Sequence, residues 1–353
     1  MKFVAVLAVV MLLAGCIAPP AQPTAAPPTV APVQRTVILS AFAYQDAQKV
    51  WQGESGPFLA LLKDSVDVKA KLPFCELAWE GTLYGKPALV VAEGVGKVHA
   101  ATCMADIMAK YPGQVKEVLW SGIAGGSPRV GGSANLTGER VQTGDVCIAY
   151  AARDYDRQYS SLAEKTWWES SSTLSDTVKA PIGSKTLADE LAGAAQKVTW
   201  PDTTPAVAAN IKKYHPTDEV RKPKPFYGNC IEATGDNFWH GADEDQQART
   251  LGAALLNKAQ GTTLTAKEVI AITAMENSAW MFVLQNLCAK EKVCVPFAYS
   301  RSLSNFDEPW QVNGKPAVTA RESIEAGMGS GGGSPFGSLT AALPVLKMLE
   351  TRP

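Results

Sequence analysis

Two segments of the chain place polar side chains where a strand pattern ends, and such side chains could recognise a small ligand. Glu276 follows an apolar run at residues 269–273 and begins a helical pattern. Its carboxylate could accept hydrogen bonds from a ligand diol, or it could simply be an acidic first-turn residue favoured by the helix dipole. Asn305 lies in the polar segment 301–307. An amide offers both a donor and an acceptor, which suits the edge of a purine.

Two further segments suit other parts of a ligand. Gly122, Gly125 and Gly126 surround Ile123, and backbone N–H groups in such a run can approach an anion or a sugar closely. A tight turn is the simpler interpretation of the same glycines. Residues 234–239 place Phe238 beside a turn, where an aromatic ring could stack on a flat base or pack into a core or lid.

The elements that must position these residues alternate between strand and helix patterns. Predicted strands cover residues 36–42, 75–83, 87–93, 115–121, 146–151, 228–234, 269–273 and 295–303. Predicted helices cover residues 44–63, 97–110, 184–196, 243–258, 276–290 and 338–349. This alternation favours an α/β layer fold with a mainly parallel or mixed sheet. Ligands of such sheets bind at the carboxyl ends of strands, which is where the candidate segments lie.

The amino-acid composition limits the kinds of molecule that the protein is expected to bind. The 353 residues carry 33 Lys and Arg against 34 Asp and Glu, a formal net charge of −1, and 46% of them are hydrophobic. This balance excludes a disordered chain and gives no basic surface for nucleic acid. With three histidines and no Cys-x-x-Cys pair, we expect no metal site.

The first residues resemble a bacterial lipoprotein signal. Residues 1–15 combine a positive start, a short apolar run and small residues before Cys16. The pattern predicts cleavage, lipidation of Cys16 and a Pro/Ala-rich tether over residues 16–34. A plain secretory signal is the alternative. We therefore expect an exported lipoprotein, anchored to a membrane of the bacterial cell envelope. Of the six later cysteines, Cys288 and Cys294 are close enough to pair, although buried free thiols are equally compatible with the sequence.

Taken in order, the segments resemble the nucleoside phosphorylase and nucleosidase superfamily. The matching pieces are ILSAF (38–42), EGVGKVHAA (93–101), SGIAGG (121–126), TGDV (143–146), ATGDNF (233–238), AMENSA (274–279) and RSLSN (301–305). The resemblance implies a three-layer α/β/α fold with a central mixed sheet over residues 35–353, with an insertion at about 156–227. The segment RSLSNFDEP (301–309) also resembles the purine nucleoside permease-like branch.

The resemblance implies roles for matching positions. Met275 and Glu276 would hold the ribose, Phe238 would stack on the base, and the segment Gly122 to Gly126 would surround phosphate or the attacking water. Asn305 occupies the place of a catalytic Asp that protonates the purine. No organic cofactor or metal is implied, inorganic phosphate is a possible co-substrate, and relatives form homo-oligomers.

Three departures from the family pattern matter. Asn305 cannot donate a proton as Asp does, so it would only hydrogen-bond the departing base. Trp120 stands where phosphorolytic relatives carry a phosphate-binding Arg. Gln45 stands where hydrolytic relatives carry a water-activating Glu, with Asp46 and Asp307 as nearby carboxylates that could replace it.

The resemblance and its departures leave three hypotheses. The first is cleavage of the N-glycosidic bond of purine nucleosides in salvage, by phosphorolysis or hydrolysis, with Glu276 and Asn305 as the catalytic residues. The second is a catalytically weak nucleoside-binding lipoprotein that assists uptake. The third is a storage protein with a vestigial site.

Overall fold

The computed structural model describes residues 32–126, 141–156, 158–159, 167–168, 180–214, 216, 218–236, 242–306, 311–312, 315–316, 322 and 332–353. Residues 33–353 form one compact unit. The predicted signal segment, Cys16 and almost all of the predicted tether lie outside the described residues. None of the described helices combines the length and the apolar character needed to cross a membrane.

Eleven strands form the central sheet. They are β1 (Arg35–Ser40), β4 (Lys63–Asp67), β5 (Leu77–Leu83), β6 (Lys86–Ala92), β7 (Val115–Gly126), β8 (Val146–Ala149), β9 (Ala152–Asp154), β12 (Pro225–Tyr227), β13 (Cys230–Thr234), β14 (Ile270–Ala274) and β15 (Phe297–Phe306). Three two-stranded pairs lie outside it: β2 (Ala43–Gln45) with β3 (Trp51–Gly53), β10 (Gln158–Tyr159) with β11 (Trp167–Trp168), and β16 (Gln311–Val312) with β17 (Lys315–Pro316).

Seven α-helices accompany the strands among the described residues. They are α1 (Gly56–Leu59), α2 (Lys97–Lys110), α3 (Lys185–Ala195), α4 (Pro205–Tyr214), α5 (Ala242–Gln260), α6 (Asn277–Glu291) and α7 (Gly333–Thr351). Ser184 caps α3 by accepting a hydrogen bond from the Leu187 N–H, as is usual for a serine at this position.

The main path of the sheet runs β12-β8-β15-β7-β1-β6-β5-β4. β1 pairs in parallel with β6 and β7, and β7 pairs in parallel with β15. β15 meets β8 in antiparallel orientation, and β14 meets the end of β7 in antiparallel orientation. The predicted mixed sheet is therefore confirmed.

Helices cover both faces of the sheet because β1 is apolar on both sides. Val37 and Leu39 pack with side chains of α2 and α6, whereas Ile38 packs with side chains of α3 and α7. Successive residues of a strand point to opposite faces, so a continuous apolar run such as VIL needs cover on both. This arrangement is the three-layer α/β/α fold that the sequence predicted.

The predicted helix over residues 44–63 is wrong. The segment forms the hairpin β2–β3, the short helix α1 and the start of β4. The Asp46 carboxylate accepts hydrogen bonds from the N–H groups of Gln48 and Val50, both at 2.9 Å, and closes the hairpin turn. Gly53 then adopts a left-handed φ of 81°, and Pro57 lies in the first turn of α1. Gly and Pro interrupt a helix at these points, although the apolar spacing of the segment is helical.

The span predicted as an insertion, residues 156–227, contributes to the layers where it is described. The helix predicted over residues 184–196 is confirmed as α3, and β12 joins the sheet beside β8. The six described cysteines form three disulfides, Cys75–Cys103, Cys147–Cys230 and Cys288–Cys294. Of the two alternatives that the sequence left open, pairing of Cys288 with Cys294 is the one found, and that of buried free thiols is wrong.

Candidate functional site

A cavity opens where the carboxyl ends of β1, β7, β14 and β15 meet. The space within it, including the solvent at its mouth, is about 570 Å³. The charged residues that line it are Glu54, Glu276 and Arg301. Most of the remaining lining is apolar, so the charges act in surroundings of low polarity.

Glu54 enters the cavity from the segment between β3 and α1. Its side chain is buried, and both carboxylate oxygens accept backbone hydrogen bonds, from Ala41 N at 2.6 Å and from Ile123 N at 2.7 Å. Burial raises the pKa of Glu54 to about 8, although Arg301 and the two backbone donors act in the opposite direction. A carboxyl group with a pKa near neutrality can accept a proton during a reaction.

Gly122 makes room for this carboxylate. A Cβ atom at position 122 would overlap Glu54 Oε1 and Cδ, and also Cη2 of Trp120. The glycines that the sequence suggested as an anion loop belong to the extended end of β7 rather than to a loop. The anion that the Ile123 N–H meets is the carboxylate of Glu54, from the same chain.

We predict that Gly122→Ala displaces Glu54 and lowers the free energy of unfolding by about 1–3 kcal/mol, because overpacking at a buried glycine forces neighbouring groups to move. Urea unfolding of the purified variant measures the effect. Gly193→Ala is the matched control, since a Cβ at position 193 of α3 contacts nothing within 4 Å. An unchanged free energy of unfolding in Gly122→Ala would show that the packing around Glu54 accommodates the added methyl group.

Arg301 is the buried cation at the base of the cavity. Its Nη2 donates to Glu276 Oε2 at 2.8 Å, and its Nη1 donates to the Ile123 carbonyl at 2.8 Å. Its Nε lies 2.9 Å from Glu232 Oε2. Burial lowers the pKa of Arg301, but the surrounding carboxylates outweigh this effect and keep the group charged. Arg301 therefore orients Glu276 rather than standing ready for an added anion.

Glu276 is the N-cap residue of α6, directly after β14, as its position in the sequence predicted. Besides the bond from Arg301, its Oε1 accepts a hydrogen bond from Gly96 N at 3.2 Å. The side chain is buried yet lines the cavity. A carboxylate held from two sides in this way presents a fixed acceptor to a ligand.

Asn305 reaches the cavity because β15 is irregular at its end. Its pairing with β7 shifts between Leu303 and Asn305, so that Ser304 is the extra residue. Such a bulge re-aims the side chain that follows it. Ser304 Oγ donates to Asn305 Oδ1 at 2.9 Å, and this bond fixes the orientation of the amide.

The structure brings most of the predicted residues together. The predicted residues that line the cavity are Ile123, Gly125, Met275, Glu276 and Asn305. Gly122 lies beneath Glu54, and Gly126 packs against the Leu303 side chain. Phe238 and Asp307 lie outside the described residues.

The predicted position for a water-activating group is corrected by the structure. Gln45 is exposed on β2 and is not among the residues that line the cavity. Asp46, the suggested substitute, closes the hairpin turn. Glu54, nine residues beyond Gln45, holds the position in the cavity that was expected of Gln45. Gly53 and the pair Gly56-Pro57 were the signal that the segment breaks into turns here.

No group of three or more His, Cys, Asp or Glu side chains in the described part of the chain is arranged to hold a metal ion. Arg301 was not among the predicted site residues, although it begins the RSLSN segment. An Arg directly after the apolar start of the strand at residues 297–299 is the signal that could have identified it, since an arginine within a buried strand is almost always paired.

The solved structures to which this chain is similar include a nucleosidase and a futalosine hydrolase. A 5'-methylthioadenosine/S-adenosylhomocysteine nucleosidase from Neisseria meningitidis, in complex with methylthio-immucillin-A, is similar with a TM-score of 0.51 and 17% identity, covering 91% of this chain and 100% of that one. A futalosine hydrolase mutant of Helicobacter pylori is similar with a TM-score of 0.52 and 19% identity, covering 91% and 100%. At these identities the likeness establishes the fold, which is the nucleoside phosphorylase and nucleosidase type.

The protein family to which this chain belongs is identified from its sequence. The model of the purine nucleoside permease family matches residues 34–331, and the chain belongs to that family. The resemblance of residues 301–309 to this branch is thereby confirmed. A comparison with curated proteins finds no match.

Proposed function

We propose that this protein hydrolyses the N-glycosidic bond of purine nucleosides. The observation that carries the proposal is Glu54, a buried carboxyl group in the same cavity as Glu276 and Arg301. Hydrolysis of such a bond needs an acceptor for the proton of water and negative charge near a sugar that becomes cationic. Glu54 supplies the first, and Glu276 supplies the second.

In the proposed reaction Glu276 accepts hydrogen bonds from the ribose hydroxyls. Water attacks C1' while Glu54 takes one of its protons, and the electrons of the C1'–N9 bond leave with the base. Asn305 stabilises the departing base by a hydrogen bond, and the base takes a proton from solvent. The products are ribose and the free purine.

The charges in the cavity favour hydrolysis over phosphorolysis. A phosphate ion would share the cavity with the carboxylate of Glu276, and like charges at close range repel in a site of low polarity. Arg301 is already paired with Glu232 and Glu276. Among the described lining residues no other cation is present. Inorganic phosphate is therefore not part of the proposed reaction.

We expect Asn305→Asp to shift preference from inosine toward adenosine. The amide of Asn305 can hydrogen-bond a purine without protonating it, whereas an aspartic acid can donate a proton to N7. The ratio of kcat/KM for adenosine and inosine measures the shift, with Asn257→Asp in α5 as a control away from the cavity. An unchanged ratio would remove Asn305 from the base site.

A second candidate function is nucleoside capture for uptake without efficient turnover. The family name, purine nucleoside permease, favours it, and so does the absence of a proton donor at position 305. Binding of inosine that stabilises the folded state without release of base would select this candidate.

We propose further that the protein acts outside the cytoplasm, anchored through Cys16. The three disulfides support export, because structural disulfides form and persist in oxidising compartments. The lipid anchor rests on the signal pattern of residues 1–16 alone. Detection of the lipid-modified protein in membrane fractions, and its loss in Cys16→Ser, tests it.

The test of the proposed reaction is release of free base. The purified protein is incubated with inosine, guanosine, adenosine, methylthioadenosine and uridine, with and without phosphate, and the bases are separated by chromatography. Release without phosphate supports hydrolysis. Release that requires phosphate would contradict it, and no release from folded protein would favour capture.

A further inference from the structure

We propose that Glu93 and Trp120 are positioning residues that hold Arg301, and through Arg301 the ribose-binding carboxylate of Glu276, in place. This inference rests on the proposed function of the same site. It gives a role to Trp120, which stands where phosphorolytic relatives carry an anion-binding arginine.

The face of the Arg301 guanidinium rests on the Trp120 ring. The Cζ atom lies 3.2 Å from the ring centroid, and both side chains are buried. A planar guanidinium stacks well on an indole face. The hydrogen bonds and the ion pair of Arg301 lie along its edge and so control its position in its own plane. The ring of Trp120 supplies the support perpendicular to that plane.

Glu93 fixes the rotation of the ring. Its Oε1 accepts a hydrogen bond from Trp120 Nε1 at 2.8 Å, and its own backbone N–H donates to the Ser40 carbonyl at 2.8 Å, which anchors it beside β1. An indole N–H is a donor only, so this one acceptor sets which way the ring is turned. Burial raises the pKa of Glu93 well above its ordinary range, and a neutral carboxyl group still accepts this bond.

A purely structural explanation does not account for the choice of residues. Burying a carboxyl group is unfavourable, and Glu93 Oε2 has no hydrogen-bond partner among the described residues. An apolar pair would fill the same volume without that penalty. The hydrogen bond between Glu93 and Trp120 instead gives the Trp120 ring a defined orientation beneath Arg301. The opposite edge of the ring, Cη2, faces Gly122 and therefore borders the place of Glu54 as well.

The test is calorimetric binding of inosine and of hypoxanthine to the full chain and its variants, all in the Glu54→Gln background so that inosine is bound without being cleaved. Glu93→Leu removes the acceptor, and Trp120→Phe removes the N–H group. We expect each to weaken inosine binding about tenfold, with hypoxanthine binding unchanged because the base does not contact Glu276. Glu93→Gln keeps an acceptor for the indole and should restore inosine binding to near the wild-type value.

The double variant Glu93→Leu/Trp120→Phe should bind inosine no more weakly than either single variant, since both changes break one linkage. If Glu93→Leu does not fold, Trp120→Phe alone carries the comparison of nucleoside with base. Equal losses for inosine and hypoxanthine, or inosine binding like the wild type in both single variants, would overturn the inference. A wild-type protein that binds no nucleoside would overturn the proposed function and this inference together.

Discussion

Glu54→Gln should lower kcat/KM for nucleoside hydrolysis by about 10²- to 10⁴-fold, the usual contribution of a general base. The near-isosteric amide cannot take the proton of the attacking water. Steady-state release of hypoxanthine from inosine measures the effect. Gln45→Ala alters the exposed residue that the family resemblance had matched to the water-activating Glu of hydrolytic relatives; it is the matched control and should retain full activity. A Glu54→Gln variant as active as the wild type would exclude Glu54 as the base.

The same group predicts the pH dependence. Because the pKa of Glu54 is about 8, the wild-type kcat/KM should rise with pH and level off above about 8.

Since the folded-state pKa of Glu54 lies above the ordinary 4.5, the stabilisation from this carboxyl is complete below about pH 4.5 and is lost as pH rises to about 8. The free energy of unfolding of Glu54→Gln should therefore improve relative to the wild type over that window. Urea unfolding at several pH values measures this, and it separates loss of activity from loss of folding.

Glu276→Gln should weaken inosine binding about 10- to 100-fold and leave hypoxanthine binding within about twofold. The carboxylate is the proposed acceptor for the ribose hydroxyls, and a hydrogen bond to a charged group contributes about 1.5–3 kcal/mol. Calorimetric titration of both ligands measures the difference, with and without Glu276→Gln in a Glu54→Gln background that does not cleave inosine. Glu268→Gln, on the exposed turn before β14, controls for the loss of one negative charge.

Equal weakening for nucleoside and base would contradict the role of Glu276 and indicate a general disturbance of the cavity. The comparison with free base is necessary because Arg301 is the ion-pair partner of Glu276. In Glu276→Gln it loses one of its two buried ion pairs, and an arginine with fewer partners can shift the floor of the site. The free base, which contacts neither group in the proposed complex, reports on such a shift.

The fold was predictable because its strands and helices are marked by local patterns. The hairpin of β5 and β6, the helix α2 and the continuous apolar run of β1 follow from periodicity alone. The order of the short motifs then predicted the type of fold. Glu276 and Asn305 were found for the same reason, since each lies directly at the end of a strand that was placed correctly.

The positions of Glu54 and of the Arg301–Trp120 stack depend on contacts between distant parts of the sequence, which no local pattern indicates. Glu54 was missed because the apolar spacing of residues 44–63 favours a helix, while Gly53 and Pro57 break it into a hairpin and a single turn. The stack of Arg301 on Trp120 exists because β15 pairs beside β7 in the sheet. Their sequence separation of 181 positions gives no hint of this pairing.

Glu54 directly follows the β2–β3 hairpin outside the main sheet, whereas Arg301 and Asn305 belong to the sheet strand β15 and Glu276 follows the sheet strand β14. In the proposed reaction, recognition of the ligand and activation of water depend on separately encoded parts of the chain. A few changes in about a dozen residues around β2 and β3 would then abolish turnover while leaving affinity intact. If the proposal holds, the residue at position 54 distinguishes a hydrolase of this fold from a protein that only binds nucleosides.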